Sequence, residues 1–167
     1  MTTIAKPVRA LSITSPWDMA GRDGLYAARS LFGKAVDQLA PFQSLETTLQ
    51  GKPCSVLRLC DRNFRLGYSG QLAQVVEPLQ ASVWVRQLDW LRAIALPEEL
   101  FPALANHATV RPPHRLDLPN NCAVPAQIEG VSALLWRHGA EGQPTLEVHL
   151  ACNDADKVLT WIDTLPA

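Results

Sequence analysis

Residues 145–152 alternate without a break, with Leu146, Val148 and Leu150 on one side and Thr145, Glu147 and His149 on the other. Successive side chains leave a strand on opposite faces, so this pattern requires a strand with one apolar side. Asn153 follows, with Asp156 three residues on, and Val158, Leu159, Ile162 and Leu165 then recur at helical spacing beside Trp161. An Asn ahead of such a stripe predicts a helix cap, and an acid in the first turn suits the helix dipole. Residues 131–137 form another strand, separated from the first by a loop from Gly139 to Pro144. The end of the chain therefore reads as a hairpin followed by an amphipathic helix, two elements whose apolar sides bury each other.

The same two periods organise the rest. Residues 44–50, 54–60 and 64–69 are strand-like, split by Gly51-Lys52-Pro53 and Asp61-Arg62-Asn63, which predicts an antiparallel meander. Leu25, Ala28, Leu31, Phe32, Ala35, Val36 and Leu39 form a 3.6-residue stripe that predicts a helix from Asp23 to about Ala40, stopped by Pro41. Ser15-Pro16-Trp17-Asp18 reads as an earlier helix start, with Ser capping and Pro at the first helical position. Residues 81–88 are a fourth strand candidate, with Val83 and Val85 on one face and Trp84 on the other. Asp89 is placed to cap a short helix over 90–96, and Pro97-Glu98-Glu99 to open another. Residues 109–126 hold Pro112, Pro113, Pro119 and Pro125 and read as a surface loop or linker. The fold class is α+β, an antiparallel β-meander and hairpin packed with three or four helices. The 167 residues make a single domain, or an N-terminal subdomain 1–108 joined by a Pro-rich connection 109–126 to a hairpin–helix unit 127–167.

Composition narrows the function classes. Hydrophobic residues are 47% and charged residues 19%, so a packed core is expected and disorder is not. A formal net charge of -1 argues against nucleic acid as a partner, because phosphate binding needs a basic surplus. No apolar run approaches the roughly 20 residues that cross a bilayer, and residues 1–9 lack the apolar core of a secretory signal. A cytoplasmic location is expected.

Searching for chemistry returns little. Cys54, Cys60, Cys122 and Cys152 are scattered, without a C-x-x-C pair, and read as free, partly buried thiols. His138 and His149 could meet across the hairpin, but no carboxylate or thiol joins them at ligand spacing, so they read as surface histidines. Gly67-Tyr68-Ser69-Gly70 is one residue short of a nucleophile elbow. Phosphate-binding, dinucleotide and zinc-protease motifs are missing. Arg58, Arg62 and Arg65 cluster near one turn, and Arg111, His114 and Arg115 near another; both clusters read as solvated. No catalytic residue, cofactor or metal ligand is expected. Five Trp are many for this length, and Trp is the residue most enriched at interface hot spots. Trp84 and Trp90, rimmed by Arg86, Asp89 and Arg92, are the candidate protein-interaction residues.

The segment from Ala81 to Leu91, Ala-Ser-Val-Trp-Val-Arg-Gln-Leu-Asp-Trp-Leu, followed by Leu96-Pro97-Glu98-Glu99-Leu100, resembles the N-terminal region of the cytoplasmic-ring proteins of type III secretion systems, relatives of flagellar motor switch proteins. Val8-Arg9-Ala10-Leu11 ahead of Trp17, and the 146–150 strand with its helix, look similar too. The resemblance implies a non-enzymatic scaffold of the sorting platform, peripheral to the inner-membrane base of a secretion apparatus. Its partners would be ring, stalk and adaptor subunits and chaperone-bound cargo. Members of that family continue into small β-rich domains, so the resemblance implies an isolated N-terminal domain or a split polypeptide. Two alternatives stand beside it. One is a homodimeric type III secretion chaperone, and the other is a small thiol enzyme using Cys54 or Cys152.

Overall fold

The computed structural model describes residues 9–166; Val8, the first residue of the Val8-Arg9-Ala10-Leu11 stretch, lies outside them. The meander forms as expected, as β3 (Ser44–Leu49), β4 (Lys52–Cys60) and β5 (Asn63–Tyr68), all antiparallel. It is extended by β2 (Trp17–Ala20) and β6 (Trp84–Gln87) into a five-stranded sheet of order β3-β4-β5-β2-β6. The final hairpin forms as β10 (Val131–Ala140) and β11 (Gln143–Ala151). Together with β1 (Ser12–Thr14), β7 (Leu91–Pro97), β8 (Ala108–Thr109) and β9 (Cys122–Ile128) it makes a six-stranded sheet of order β1-β7-β11-β10-β9-β8. Four α-helices complete the described chain: α1 (Gly24–Phe32), α2 (Leu72–Val76), α3 (Phe101–Ala105) and α4 (Cys152–Ile162). The fold is α+β, with two antiparallel sheets. None of these helices is long and apolar enough to cross a membrane.

Each sheet is covered on both faces, which yields three apolar clusters. Ile94, Leu96, Leu135, Leu146 and Val148 of the six-stranded sheet pack under Leu104 of α3 and Val158 and Ile162 of α4. Met19, Val56, Phe64 and Leu66 of the five-stranded sheet pack under Ala27 and Ala28 of α1 and Leu72 of α2. A third cluster, Leu57, Ala123, Leu134 and Trp136, draws on both sheets and joins them. The interlayer is therefore a buried surface for both sheets, in the manner of a sandwich.

Two expected helices are strands. Trp17 to Ala20 pairs with β5 on one side and β6 on the other, which sends Trp17 and Met19 into the core. The Ser-Pro start is locally adequate for a helix, but two strand ladders and the burial of Trp17 outweigh one cap. Residues 90–96 lie largely in β7, held between β1 and β11. A short apolar run bounded by a turn does not distinguish a strand from a buried helix, and its neighbours decide. The helix expected to reach Ala40 stops at Phe32, where Gly33 turns at φ 83°, and a 3-10 turn, Lys34–Gln38, continues. The 109–126 stretch is irregular only to Asn121. From Cys122 it is β9, and Pro125 is accepted opposite Leu134. Asn153 does not cap α4; Ala151 precedes the helix and no side chain bonds its first turn.

Gly24 shows how tightly α1 meets the meander. A Cβ on Gly24 would lie 2.2 Å from the Arg62 carbonyl oxygen, a backbone atom that cannot swing aside. Gly24→Ala is expected to cost about 1–3 kcal/mol through forced backbone movement, read as a lower melting temperature by circular dichroism. Gly139→Ala, where an added Cβ meets nothing within 4 Å, is the matched control and should melt with the native chain.

Candidate functional site

Two features of the molecule could carry function, one buried between the sheets and one exposed at their edges. The buried one is a chain of hydrogen bonds. Alternation along β11 puts Glu147 and His149 on the face opposite Leu146 and Val148, and the five-stranded sheet covers that face. His138 of β10 sits beside them, 1% exposed, with Trp136 stacked on its ring at 3.9 Å. His138 Nδ1 bonds Glu46 Oε1 of β3 at 2.6 Å, and its Nε2 bonds Glu147 Oε2. His149 Nε2 bonds Glu147 Oε1 at 3.0 Å, and Ser55 Oγ donates to Glu46 Oε2 at 2.5 Å. The chain thus ties β3 and β4 of one sheet to β10 and β11 of the other.

Electrostatics follow from this geometry. Burial alone would lower the pKa of His138, but its bonds to Glu147 and Glu46 and their charges outweigh that and raise it to about 9. Burial would raise that of Glu147, but the bonds from His138 and His149 bring it down to about 2. His138 is then an imidazolium clamped by two carboxylates and cannot act as a free base near neutral pH.

The histidines expected at the surface are accordingly interior, because a second sheet lies over the face that alternation marks as polar. They do not hold each other; both hold Glu147. Among the described residues no cluster of three or more His, Cys, Asp or Glu is arranged to hold a metal ion. Arg58 and Arg65, expected in solvent, are also largely buried. Arg58 donates to the Leu39 carbonyl at 2.9 Å, and Arg65 pairs with Asp18 at 3.0 Å. Arg62 is exposed. Burial pushes the Cys54 thiol up to about 12, with Glu46 adding to the effect, and burial also raises Cys122. A thiol held that high is not a nucleophile near neutral pH.

The exposed feature contains all five residues singled out in the sequence. Ser15 and Pro16 carry the chain from β1 into β2, and Leu88 to Trp90 carry it from β6 into β7, so the two crossings run side by side. Leu88 N–H donates to the Pro16 carbonyl at 2.8 Å, and Gln87 Nε2 to the Ser15 carbonyl at 3.2 Å. β1 is an edge of the larger sheet and β6 an edge of the smaller one. On this ribbon Trp84 is 48% exposed, Trp90 53%, Leu11 61% and Ile13 47%. The Arg86 guanidinium lies 5.9 Å from the centre of the Trp84 ring. Asp89 is exposed in the turn, and Arg92 stiffens that turn by donating to the Asp89 carbonyl at 2.7 Å. The three other Trp are not free in this way: Trp17 and Trp136 are core, and Trp161 is half-buried. Leu11 and Ile13 were not anticipated as part of this surface; among the described residues no strand pairs with the outer edge of β1.

No protein-family model and no curated protein matches the chain. Its fold does occur among solved structures. It is similar to the aminomethyltransferase T of the glycine cleavage system from Bartonella henselae, with a TM-score of 0.66 and 16% identity over 89% of this chain and 43% of that one. It is also similar to a chain of the heterotetrameric sarcosine oxidase from Corynebacterium sp. U-96, with a TM-score of 0.61 and 15% identity over 94% of this chain and 84% of that one. At such identities the likeness is one of fold. The chain spans less than half of the aminomethyltransferase and most of the oxidase chain.

Proposed function

We propose that this protein is a non-catalytic subunit of a hetero-oligomeric enzyme and docks on its partner chains through the ribbon that carries Trp84 and Trp90. The observation behind this reading is the exposure of two Trp, a Leu and an Ile along one pair of sheet edges. Apolar side chains of that size are normally buried, and Trp anchors flanked by Arg are the usual composition of an interface hot spot. The likeness to a chain of comparable length in a heterotetrameric oxidase supports a subunit role. So does the buried cluster, where both ring nitrogens of His138 are held by carboxylates and leave it no free base to offer. The secretion-ring reading assigns the same surface to other partners, and the likeness to an oxidase chain favours the enzyme-subunit reading over it.

The test is purification of the tagged full chain from its native cells, with crosslinking to map its contacts. The expected partners are subunits of a hetero-oligomeric oxidase, crosslinked to the ribbon that carries Trp84 and Trp90. Trp84→Ala with Trp90→Ala should weaken the complex at least tenfold and leave the melting temperature of the isolated chain within about 2 °C, as expected for surface substitutions. A solitary chain, partners from a secretion apparatus, or a complex unaffected by the double substitution would each overturn the proposal.

A further inference from the structure

Two packed sheets lie about 10 Å apart and normally interleave large side chains across the whole gap. Here they do so on one side only. Around Trp136 the interlayer is filled. Toward β1 the lining is mostly small or polar, with Ser55 and Gly67 from the smaller sheet and Ser12, Ala95, Thr145 and Glu147 from the larger, and Leu11 and Tyr68 also on its wall. Ser55 and Gly67 stand opposite each other in register, as do Glu147 and Ala95. The result is a cleft of about 450 Å3, within the size range of small-molecule sites.

We propose that this cleft binds a small organic cation, of the alkylammonium class. Among the described residues no Lys or Arg lines it, whereas two carboxylates do, Glu147 at its base and Glu141 at its rim. Glu147 spends two lone-pair directions on His138 and His149. A carboxylate has about four, so the remaining ones can accept from an ammonium N–H. His138 offsets only one of the two carboxylates it touches, which leaves the base of the cleft favourable to positive charge. The hydroxyls of Ser12, Ser55 and Thr145 supply orienting partners, and Ala95 and Gly67 leave room for methyl groups. The cleft shares Leu11 and Ser15 with the docking ribbon, but Gly67, Thr145 and Glu147 are not part of that ribbon, so the Gly67→Leu variant and the Trp84→Ala, Trp90→Ala pair test the two readings separately.

The probe is trimethylammonium chloride, titrated into the 15N-labelled full chain. Expected are saturable amide shifts at Gly67, Ala95 and Thr145 in the millimolar range, at least tenfold weaker binding of tert-butanol, the neutral isostere, and no binding of acetate. Gly67→Leu should abolish binding by filling the cleft. An added Cβ there lies 3.6 Å from the Ser55 Cβ, an ordinary contact, so the fold should hold. Glu147→Gln should weaken binding at least tenfold, and if it unfolds, Gly67→Leu still decides. Absence of shifts, equal response to tert-butanol, or full binding by a folded Gly67→Leu variant would overturn the proposal.

Discussion

A His138→Ala variant is expected to melt roughly 6–20 °C below the native chain at pH 7. Removing one partner of a buried ion pair costs about 3–5 kcal/mol, because the charges left behind stay buried. Each kcal/mol moves the midpoint by about 2–4 °C in a domain of this size. Here Glu46 and Glu147 would face each other across the gap between the sheets, without the imidazolium that both bond. The pH dependence carries a definite sign. The pKa of His138 rises on folding from 6.5 to about 9, so its contribution is complete below 6.5 and is lost as pH climbs through 9. The pKa of Glu147 falls on folding from 4.5 to about 2, so its contribution is complete above 4.5 and is lost as pH drops toward 2. Thermal melts from pH 5 to 10 should therefore show the native chain losing stability on the alkaline side and the variant losing much less. A variant that melts within 2 °C of the native chain at neutral pH would remove the clamp from the list of things that hold the sheets together.

Trp136→Ala is expected to cost a similar amount, about 3–5 kcal/mol, as a large core side chain is replaced by a cavity. Trp136 is fully buried, fills the interlayer beside Leu57 and Leu134, and donates from Nε1 to Ser44 Oγ at 2.8 Å. It also stacks on His138, so the two losses should not add. Contacting residues couple by about 0.5–3 kcal/mol, and a double-mutant cycle measured by denaturant melts should return a coupling in that range. Additive losses would mean that the stacked rings support the interlayer separately.

The local elements were largely legible. The meander, the final hairpin and the last helix follow from period-two and period-3.6 patterns, although β10 runs three residues past Arg137 and β11 begins at Gln143, which leaves two residues of the expected Gly139–Pro144 loop. The exposure of Trp84 was legible for a different reason. Trp84 alternates with the apolar Val83 and Val85, so a strand burying those two had to turn Trp84 away. The failures share one cause. Trp17 to Ala20 and residues 90–96 carry adequate helix signals, yet each pairs with strands on both sides, and pairing partners 40 or more residues away leave no mark on a local pattern.

His138, Glu147 and Glu46 make the division plain. Sequence alone determined that β11 has two chemically distinct faces, because side chains on a strand must alternate and these ones differ in polarity. It could not determine whether water or protein would meet the polar face. That was decided by the five-stranded sheet, which brings Glu46 to His138 across 92 residues of chain. Only then does a row that looks solvated become a buried ion cluster, since a charge enters the interior when an opposite charge arrives with it.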